Sequence, residues 1–179
     1  SSLLYELGGR GLVVQTTDQR ELEMHLEQQG RTVYCGFDPT ADSLHIGSLV
    51  PLLALRRFQL AGHRPVALIG GATGLVGDPS FKAAERSLNT AATVGEWAEA
   101  IKAQVSGLLD TSGPRGALVV NNLEWFENFR LLDFLRQVGK HFSINAMIQK
   151  ESVRQRIERE GEGRSLAEFT YMSLQAFAF

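Results

Sequence analysis

The sequence predicts an α/β fold in which helices flank an open parallel β-sheet. Two observations predict this fold class. Three short segments, 32–35, 65–69 and 117–120, are rich in β-branched or other apolar residues, and the continuous apolar run at 65–69 is typical of a strand buried on both faces of a parallel sheet. Between these segments the apolar residues recur at helical spacing. Such strand–helix–strand units connect parallel strands by a right-handed crossover.

The composition is that of an ordinary globular protein. Of the 179 residues, 44% are hydrophobic and 21% are charged, which is enough for one domain with a sizeable core. The net charge of −2 provides no field that would draw the chain to nucleic acid or membrane. With Cys35 as its one cysteine, the chain has no internal disulfide or cysteine zinc cluster, which fits a reducing compartment. We expect neither a spanning helix nor a secretory signal.

Two helices are predicted before the first strand. Residues 3–7 form a short helix that the following glycines interrupt. Asp18 is placed to cap the second helix, and Glu21 three residues later completes a capping box. Gly30 is predicted to end this helix.

The stretch 34–49 predicts a strand, a tight polar turn and the start of a helix over 46–61. Pro51 is expected in the first turn of this helix, where proline is tolerated. A strand that leads into a helix N-terminus offers N–H groups and a positive dipole end that suit a phosphate, and His45 would lie beside it. An ordinary connection with a surface histidine explains the same spacing equally well.

A glycine-rich loop over 70–80 follows the second strand. So many small residues after a buried strand indicate backbone that is held close to a ligand. Asp78 would then suit a ligand ammonium group, although it could equally cap the loop. Lys82 and Arg86 lie four residues apart, so they would share a helix face and could hold a polyphosphate leaving group. A solvated charged face is the alternative.

The clearest predicted helix begins after Thr90 and presents one apolar face. The members of that face are Val94, Trp97, Ala98, Ile101, Val105 and Leu108. The third strand ends at Asn121 and Asn122, which either line a ligand edge of the sheet or form a turn.

The pattern changes after residue 122. An aromatic-rich helix is predicted over 125–138, and a further helix runs through Ile157. We interpret 123–163 as a helical insertion whose apolar surface forms a subunit interface. Ser165 opens a last helix, on which Tyr171 and Gln175 share one face and could both point at a ligand.

Four blocks of sequence carry a resemblance to a known family. They are Tyr-Cys-Gly-Phe-Asp-Pro-Thr-Ala-Asp-Ser-Leu-His-Ile-Gly at 34–47, Gly-Gly-Ala-Thr-Gly-Leu-Val-Gly-Asp-Pro-Ser at 70–80, Phe-Lys-Ala-Ala-Glu-Arg at 81–86 and Gly-Lys-His-Phe-Ser-Ile-Asn at 139–145. On these blocks the chain resembles bacterial and mitochondrial-type tyrosyl-tRNA synthetases along nearly its whole length. The resemblance implies the Rossmann-like parallel sheet of a class I synthetase catalytic domain, incomplete here, with a helical insertion that forms a homodimer interface.

The resemblance divides the chain into four segments. An N-terminal helical segment (1–31) precedes the first half of the nucleotide-binding domain (32–122). The connecting insertion (123–163) and the start of an amino-acid-binding helix (164–179) follow.

The resemblance also implies the reaction. The carboxylate of L-tyrosine would attack the α-phosphate of ATP to give tyrosyl-adenylate, and the tyrosyl group would pass to tRNA(Tyr). Magnesium would accompany the ATP, without a structural metal bound by the protein. The tRNA would bind through parts outside this chain. The location would be the bacterial cytoplasm or the mitochondrial matrix. A non-catalytic, synthetase-derived module that dimerises or binds a ligand remains the alternative.

Site residues are implied in three groups. The amino acid would be held by its phenol at Tyr34 and by its polar end at Asp78, Tyr171 and Gln175. The transferred phosphate and the pyrophosphate would be contacted by Thr40, His45, Lys82 and Arg86. The nucleotide would be lined by Cys35, Gly36, Asp38, Gly47 and Ser48.

Three departures from the family pattern stand out. Ser48 occupies the position where the helix start usually carries a second histidine. Ala178 occupies the position of the aspartate that pairs with the substrate phenol, which would weaken discrimination against phenylalanine. The lysine-rich mobile loop and the second half of the nucleotide fold do not occur in these 179 residues, so we expect this chain alone to charge tRNA poorly or not at all.

Overall fold

The computed structural model describes residues 2–77, 89–149, 154 and 165–178. In this part of the chain three parallel strands form one sheet: β1 (Thr32–Phe37), β2 (Arg64–Ile69) and β3 (Leu118–Asn121), with β2 in the middle. The predicted α/β fold class is therefore confirmed, and each predicted strand lies within three residues of its expected bounds. Asp78, Lys82, Arg86 and most of the helix expected to run through Ile157 lie outside the described residues.

The chain divides into two compact units, which we describe separately. The first unit comprises Ser1–Phe37, Ser43–Leu68 and Ile101–Val120. The second unit comprises Asp38–Asp42, Ile69–Ala100 and Asn121–Phe179.

Three helices precede or follow β1 in the first unit: α1 (Leu3–Gly9), α2 (Gln19–Glu27) and α3 (Ile46–Leu60). Asp18 caps α2 as predicted, because its carboxylate accepts the Glu21 N–H at 2.8 Å. Helix α2 ends three residues before Gly30, so the predicted stop at that glycine is wrong. Gly30 instead takes a left-handed turn (φ 79°) and donates its N–H to the Gly62 carbonyl.

Leu52 and Leu55 anchor α3 in the core of the first unit, at 0% and 2% exposure. Pro51 lies in the second turn of α3 rather than the first. It therefore withholds an N–H from the Gly47 carbonyl, a hydrogen bond that an uninterrupted helix would make.

Helix α5 (Ala91–Leu108) agrees closely with its prediction. The Thr90 hydroxyl accepts the Thr93 N–H at 3.2 Å and caps the helix start. Four of the six predicted apolar positions, Val94, Ala98, Ile101 and Val105, are no more than 1% exposed.

The second unit holds further helices among the described residues. They are α4 (Gly71–Val76), α6 (Leu123–Phe126), α7 (Leu131–Gln137), α8 (Ile144–Ile148) and α9 (Leu166–Ala178), together with a 3₁₀ turn at Gly139–His141. Helix α4 corrects the glycine-rich loop expected over 70–80. A side chain from outside the helix stabilises its first turn, because the Asn122 side-chain oxygen accepts the Ala72 N–H at 2.7 Å. Gly77 (φ 80°) ends the helix.

The single helix predicted over 125–138 is two helices, α6 and α7. Asn128 explains the break. Its side-chain amide donates to the Glu124 carbonyl at 2.9 Å, which is the carbonyl that its own backbone N–H would reach in a continuous helix. Arg130 then adopts an extended conformation (φ −72°, ψ 146°) before α7 begins.

None of the helices among the described residues is long and apolar enough to cross a bilayer.

Candidate functional site

The centre of the candidate site is the carboxylate of Asp38, which follows directly on β1. Its Oδ1 accepts a hydrogen bond from the Thr73 hydroxyl at 2.7 Å. Its Oδ2 accepts a hydrogen bond from the Tyr171 phenol at 2.8 Å. The three side chains belong to the second unit, and Thr73 and Tyr171 are buried at 4% and 5% exposure. One carboxylate thus connects α4 with α9.

Asn122 supports this group from the end of β3. It is completely buried, and its Nδ2 donates to the Thr73 hydroxyl at 3.3 Å. Its backbone N–H donates to the carbonyl of Ile69, the last residue of β2, at 3.0 Å. Of the two interpretations open for Asn121 and Asn122, the observed contacts agree with turn chemistry, since the Asn121 side chain accepts the Leu123 N–H at 3.0 Å.

The two glycines that start the α4 region have no space for a side chain. A Cβ on Gly70 would collide with the Asp38 carboxylate and the Thr73 hydroxyl, and a Cβ on Gly71 would collide with the Asn121 amide. The glycine-rich run therefore does bring backbone close to a partner. The partners observed are the protein's own polar side chains, which the pattern of small residues alone does not reveal.

A second candidate group lies in the first unit, at the start of α3. His45 occupies the N-cap position, and its Nε2 lies 3.4 Å from the Ser48 hydroxyl. The ring folds over Gly47, where a Cβ would lie 3.0 Å from two ring atoms. The side chain of Gln104 accepts the Leu44 N–H at 2.9 Å and fixes the approach to the helix. His45 is solvent-exposed, so its ring is accessible to a ligand.

Strand β1 carries three further predicted residues in the first unit. Tyr34 is 53% exposed, and Gly36 is also exposed. Burial raises the pKa of the Cys35 thiol, and the contact with the Gly36 carbonyl lowers it less. Because the thiolate is the nucleophilic form, this pKa shift makes Cys35 a poor nucleophile near neutral pH.

In the second unit, Thr40 and Gln175 have exposed side chains. Gln175 follows the buried Tyr171 by one helical turn of α9, but the two differ in exposure. The described residues contain no group of three or more histidine, cysteine, aspartate or glutamate side chains that could hold a metal ion.

Known proteins share both the sequence pattern and the fold of this chain. The family model of the tRNA synthetases class I (W and Y) matches residues 27–179. The chain belongs to this family. As a class I synthetase chain, it is 63% identical over its whole length to the tyrosine–tRNA ligase of Aliivibrio fischeri strain MJ11. It is 58% identical over 99% of its length to that of Neisseria meningitidis serogroup C.

The fold of the class I synthetases agrees with this membership. A C-terminally truncated mitochondrial tyrosyl-tRNA synthetase of Aspergillus nidulans superposes with a TM-score of 0.86 at 29% identity, covering 99% of this chain and 52% of that one. The corresponding enzyme of Coccidioides posadasii gives 0.84 at 27% identity. The chain spans 42% of the length of the Aliivibrio ligase.

For this class I synthetase, the structure brings two pairs of predicted site residues into contact. Asp38 touches Tyr171, and His45 touches Ser48. Sequence reasoning missed Thr73 as a site residue and left Asn122 undecided. A usable signal exists for Asn122, which directly follows a predicted strand, where a buried polar group without a partner is costly. Thr73 lies in a run of small residues four positions after β2 and has no comparable signal.

Proposed function

We propose that this chain is the N-terminal part of a tyrosine–tRNA ligase, which activates L-tyrosine with ATP and transfers it to tRNA(Tyr). The identity of 63% over the whole chain to a protein of that name carries the proposal. The hydrogen-bonded Asp38–Tyr171 pair supports it, because it supplies an organised polar end for an amino-acid pocket.

The proposed reaction has two displacements. A carboxylate oxygen of tyrosine forms a bond to the α-phosphorus of ATP, and the bond to the bridging oxygen breaks as pyrophosphate leaves. A ribose hydroxyl at the tRNA 3′ end then attacks the carbonyl carbon, and AMP leaves with the bonding electrons. Catalysis by positioning and charge stabilisation suffices for both displacements. The raised pKa of the Cys35 thiol agrees with a mechanism that has no thiolate nucleophile.

Tyr171 is the residue whose chemistry is best defined. Its phenol donates to the Asp38 carboxylate, so its oxygen lone pairs are oriented to accept a hydrogen bond from the substrate ammonium group. In our proposal Asp78 and Gln175 complete the ammonium site, and Tyr34 contacts the substrate phenol. Asp38 then orients Tyr171, in addition to lining the nucleotide side.

The phosphate groups of ATP would be contacted by hydroxyl, imidazole and cationic side chains. Thr40 and His45 act on the transferred phosphate, and Lys82 and Arg86 stabilise the pyrophosphate. The nucleotide side is lined by Cys35, Gly36, Gly47 and Ser48. Mg²⁺ accompanies the ATP and neutralises part of its phosphate charge.

A homodimer is part of the proposal, and so is a location in the bacterial cytoplasm or the mitochondrial matrix. Helices α7 and α8 expose large apolar side chains, with Leu131 at 72%, Leu132 at 73% and Ile144 at 62% exposure. Large exposed apolar side chains on two helices that follow one another in the chain agree with a subunit interface. The predicted insertion 123–163 contains all three residues.

Isotope exchange between pyrophosphate and ATP tests the catalytic half of the proposal. In the longer protein that the proposal implies, the exchange should depend on L-tyrosine and disappear without it, whereas the 179 residues alone should exchange weakly or not at all. Calorimetry with L-tyrosine should show binding. Binding without exchange in that longer protein would instead favour the alternative of a non-catalytic module. Tyrosine that neither binds nor supports exchange would contradict the proposed function. Equal exchange with phenylalanine would confirm the effect expected of Ala178, which is buried at 2% exposure.

A further inference from the structure

The hydrogen bonds that lead to Asp38 are directional, and the Ala72 N–H determines the direction of those on the Thr73 side. A backbone N–H can only donate, so the Asn122 oxygen that receives it at 2.7 Å must be the Oδ1 acceptor. The other end of the amide is then the NH₂ group, which faces the Thr73 hydroxyl at 3.3 Å. The orientation of the Asn122 amide is therefore determined by the backbone of α4.

The contact with Asn122 also determines where the Thr73 hydroxyl proton points. Because the Asn122 NH₂ group can only donate, the Thr73 oxygen is the acceptor in that contact. The Thr73 hydroxyl proton is left for the Asp38 Oδ1 at 2.7 Å. The Asp38 Oδ2 in turn accepts the proton of the Tyr171 phenol at 2.8 Å. Hydrogen-bond donation thus runs from the α4 backbone through Asn122 and Thr73 to the Asp38 carboxylate, which also accepts from the Tyr171 phenol.

We propose that Thr73 and Asn122 are positioning residues for tyrosine activation, which hold the Asp38 carboxylate in the orientation that fixes the Tyr171 phenol. Neither residue needs to touch the substrate. That L-tyrosine is the substrate rests on the proposed function. The relay itself rests on the contacts alone.

Packing gives the relay little freedom to rearrange. Thr73 is 4% exposed and Asn122 is 0% exposed. A substitution that removes one hydrogen-bond partner therefore leaves the other partner buried away from water, which costs free energy. The absence of a side chain on Gly70 leaves the space that the Asp38 carboxylate and Thr73 hydroxyl occupy. Packing confines the Asp38 carboxylate on one side and the Thr73 hydroxyl donates to it on the other, so one orientation of the carboxylate is favoured.

A fluorine label on Tyr171 tests the relay without any activity measurement. The chain has three tyrosines, Tyr5, Tyr34 and Tyr171, so uniform 3-fluorotyrosine gives three ¹⁹F resonances that single Tyr→Phe variants assign. Thr73→Val keeps the side-chain shape but removes the hydroxyl, and it should shift the Tyr171 resonance. Thr73→Ser restores a hydroxyl and should return the resonance towards its original position. An unchanged resonance in Thr73→Val would overturn the proposal.

Thr93→Val is the matched control. It removes a threonine hydroxyl whose hydrogen bond is to the Thr90 hydroxyl at the start of α5, and it should leave the Tyr171 resonance in place. A shift as large as that in Thr73→Val would attribute the effect to general packing and overturn the proposal.

Titration with L-tyrosine supplies the second readout. We expect Thr73→Val to bind L-tyrosine about tenfold more weakly, since a hydrogen bond to a charged group is lost, and Thr73→Ser to recover most of the affinity. Unchanged affinity in Thr73→Val would overturn the positioning role. If the unsubstituted chain does not bind tyrosine, the proposed function fails, and the ¹⁹F result alone decides on the relay.

Asp38→Asn provides a second variant should Thr73→Val not fold. It preserves the side-chain volume but places an NH₂ donor where one carboxylate oxygen accepted. One of the two donors, Thr73 or Tyr171, then loses its acceptor, and the ¹⁹F resonance of Tyr171 should again move. A folded Asp38→Asn chain with an unmoved resonance would overturn the proposal.

Discussion

At the scale of single residues, buried polar groups decide which substitutions the chain tolerates. His63 is an example outside the site, at 3% exposure, and among the described residues its Nδ1 is a buried side-chain atom without a hydrogen-bond partner. Burial lowers the pKa of His63, and the nearby positive charges of His25 and Arg31 lower it further. The folded state therefore favours the neutral imidazole, and the stability of the first unit depends on pH through this residue.

The sign of that dependence follows from linkage. Because the pKa of His63 is lower in the folded chain than its ordinary value of about 6.5, the unfolded chain binds more protons as the pH falls. The contribution of His63 to stability is complete above about pH 6.5 and is lost below it. His63→Leu should therefore flatten the fall in free energy of unfolding between about pH 7.5 and about pH 5.5, measured by urea titration. An equally steep fall in the variant would contradict this role.

Gly70 gives a second prediction at this scale. In Gly70→Ala the new methyl group collides with Asp38 and Thr73, so we expect a loss of about 1–3 kcal/mol in the free energy of unfolding. Gly107→Ala is the control in α5, because its added Cβ meets no atom within 4 Å. It should stabilise the chain by up to about 1 kcal/mol. Equal effects in the two variants would show that helix propensity, and not collision, determines the cost at Gly70.

At the scale of elements, local sequence predicted those helices and strands whose signals are local. Helix α5 could be read from its apolar period and the Thr90 cap, and β2 could be read from its apolar run. Helix α4 could not, because the group that holds its first turn is Asn122, fifty positions along the chain. The break after α6 was missed for the opposite reason. It depends on the Asn128 side chain, which donates to a backbone carbonyl. The spacing of the apolar residues carries no information about this hydrogen bond.

The cap of α2 tests the part that local sequence did predict. Asp18→Ala removes the acceptor for the Glu21 N–H and should destabilise α2 by about 1 kcal/mol. Asp18→Ser retains a capping oxygen and should recover most of this. Hydrogen exchange of the α2 amides measures the effect locally, and equal protection in the alanine and serine variants would contradict the capping role.

At the scale of the whole molecule, the exposed apolar surface of α7 and α8 is the feature that bears on assembly. For the candidate site, as for the helices, the sequence predicted some residues and missed others. His45 and Tyr171 could be named because a motif marks them, whereas Thr73 lies in a run of small residues and acquires its role from partners at positions 38 and 122.

The proposed dimer makes a direct prediction. Leu131→Asp together with Leu132→Asp places two charges in the interface, where burial without a partner is costly, and should convert the dimer into a monomer in sedimentation velocity. Leu60→Asp changes a similarly exposed leucine of α3, at 76% exposure, and should leave the dimer intact. A double variant that sediments like the unsubstituted chain would place the interface elsewhere.

The hydrogen bond between Asp38 and Tyr171 joins two positions that are 133 residues apart. On the ribosome, Asp38, Thr73 and Asn122 are all synthesised before the phenol that completes the group. The chain between these two positions must close into a loop before the hydrogen bond can form. Under the proposed function, a nascent chain would therefore lack the Asp38–Tyr171 hydrogen bond until α9 has been synthesised, and chains stalled before residue 171 should not bind L-tyrosine through it.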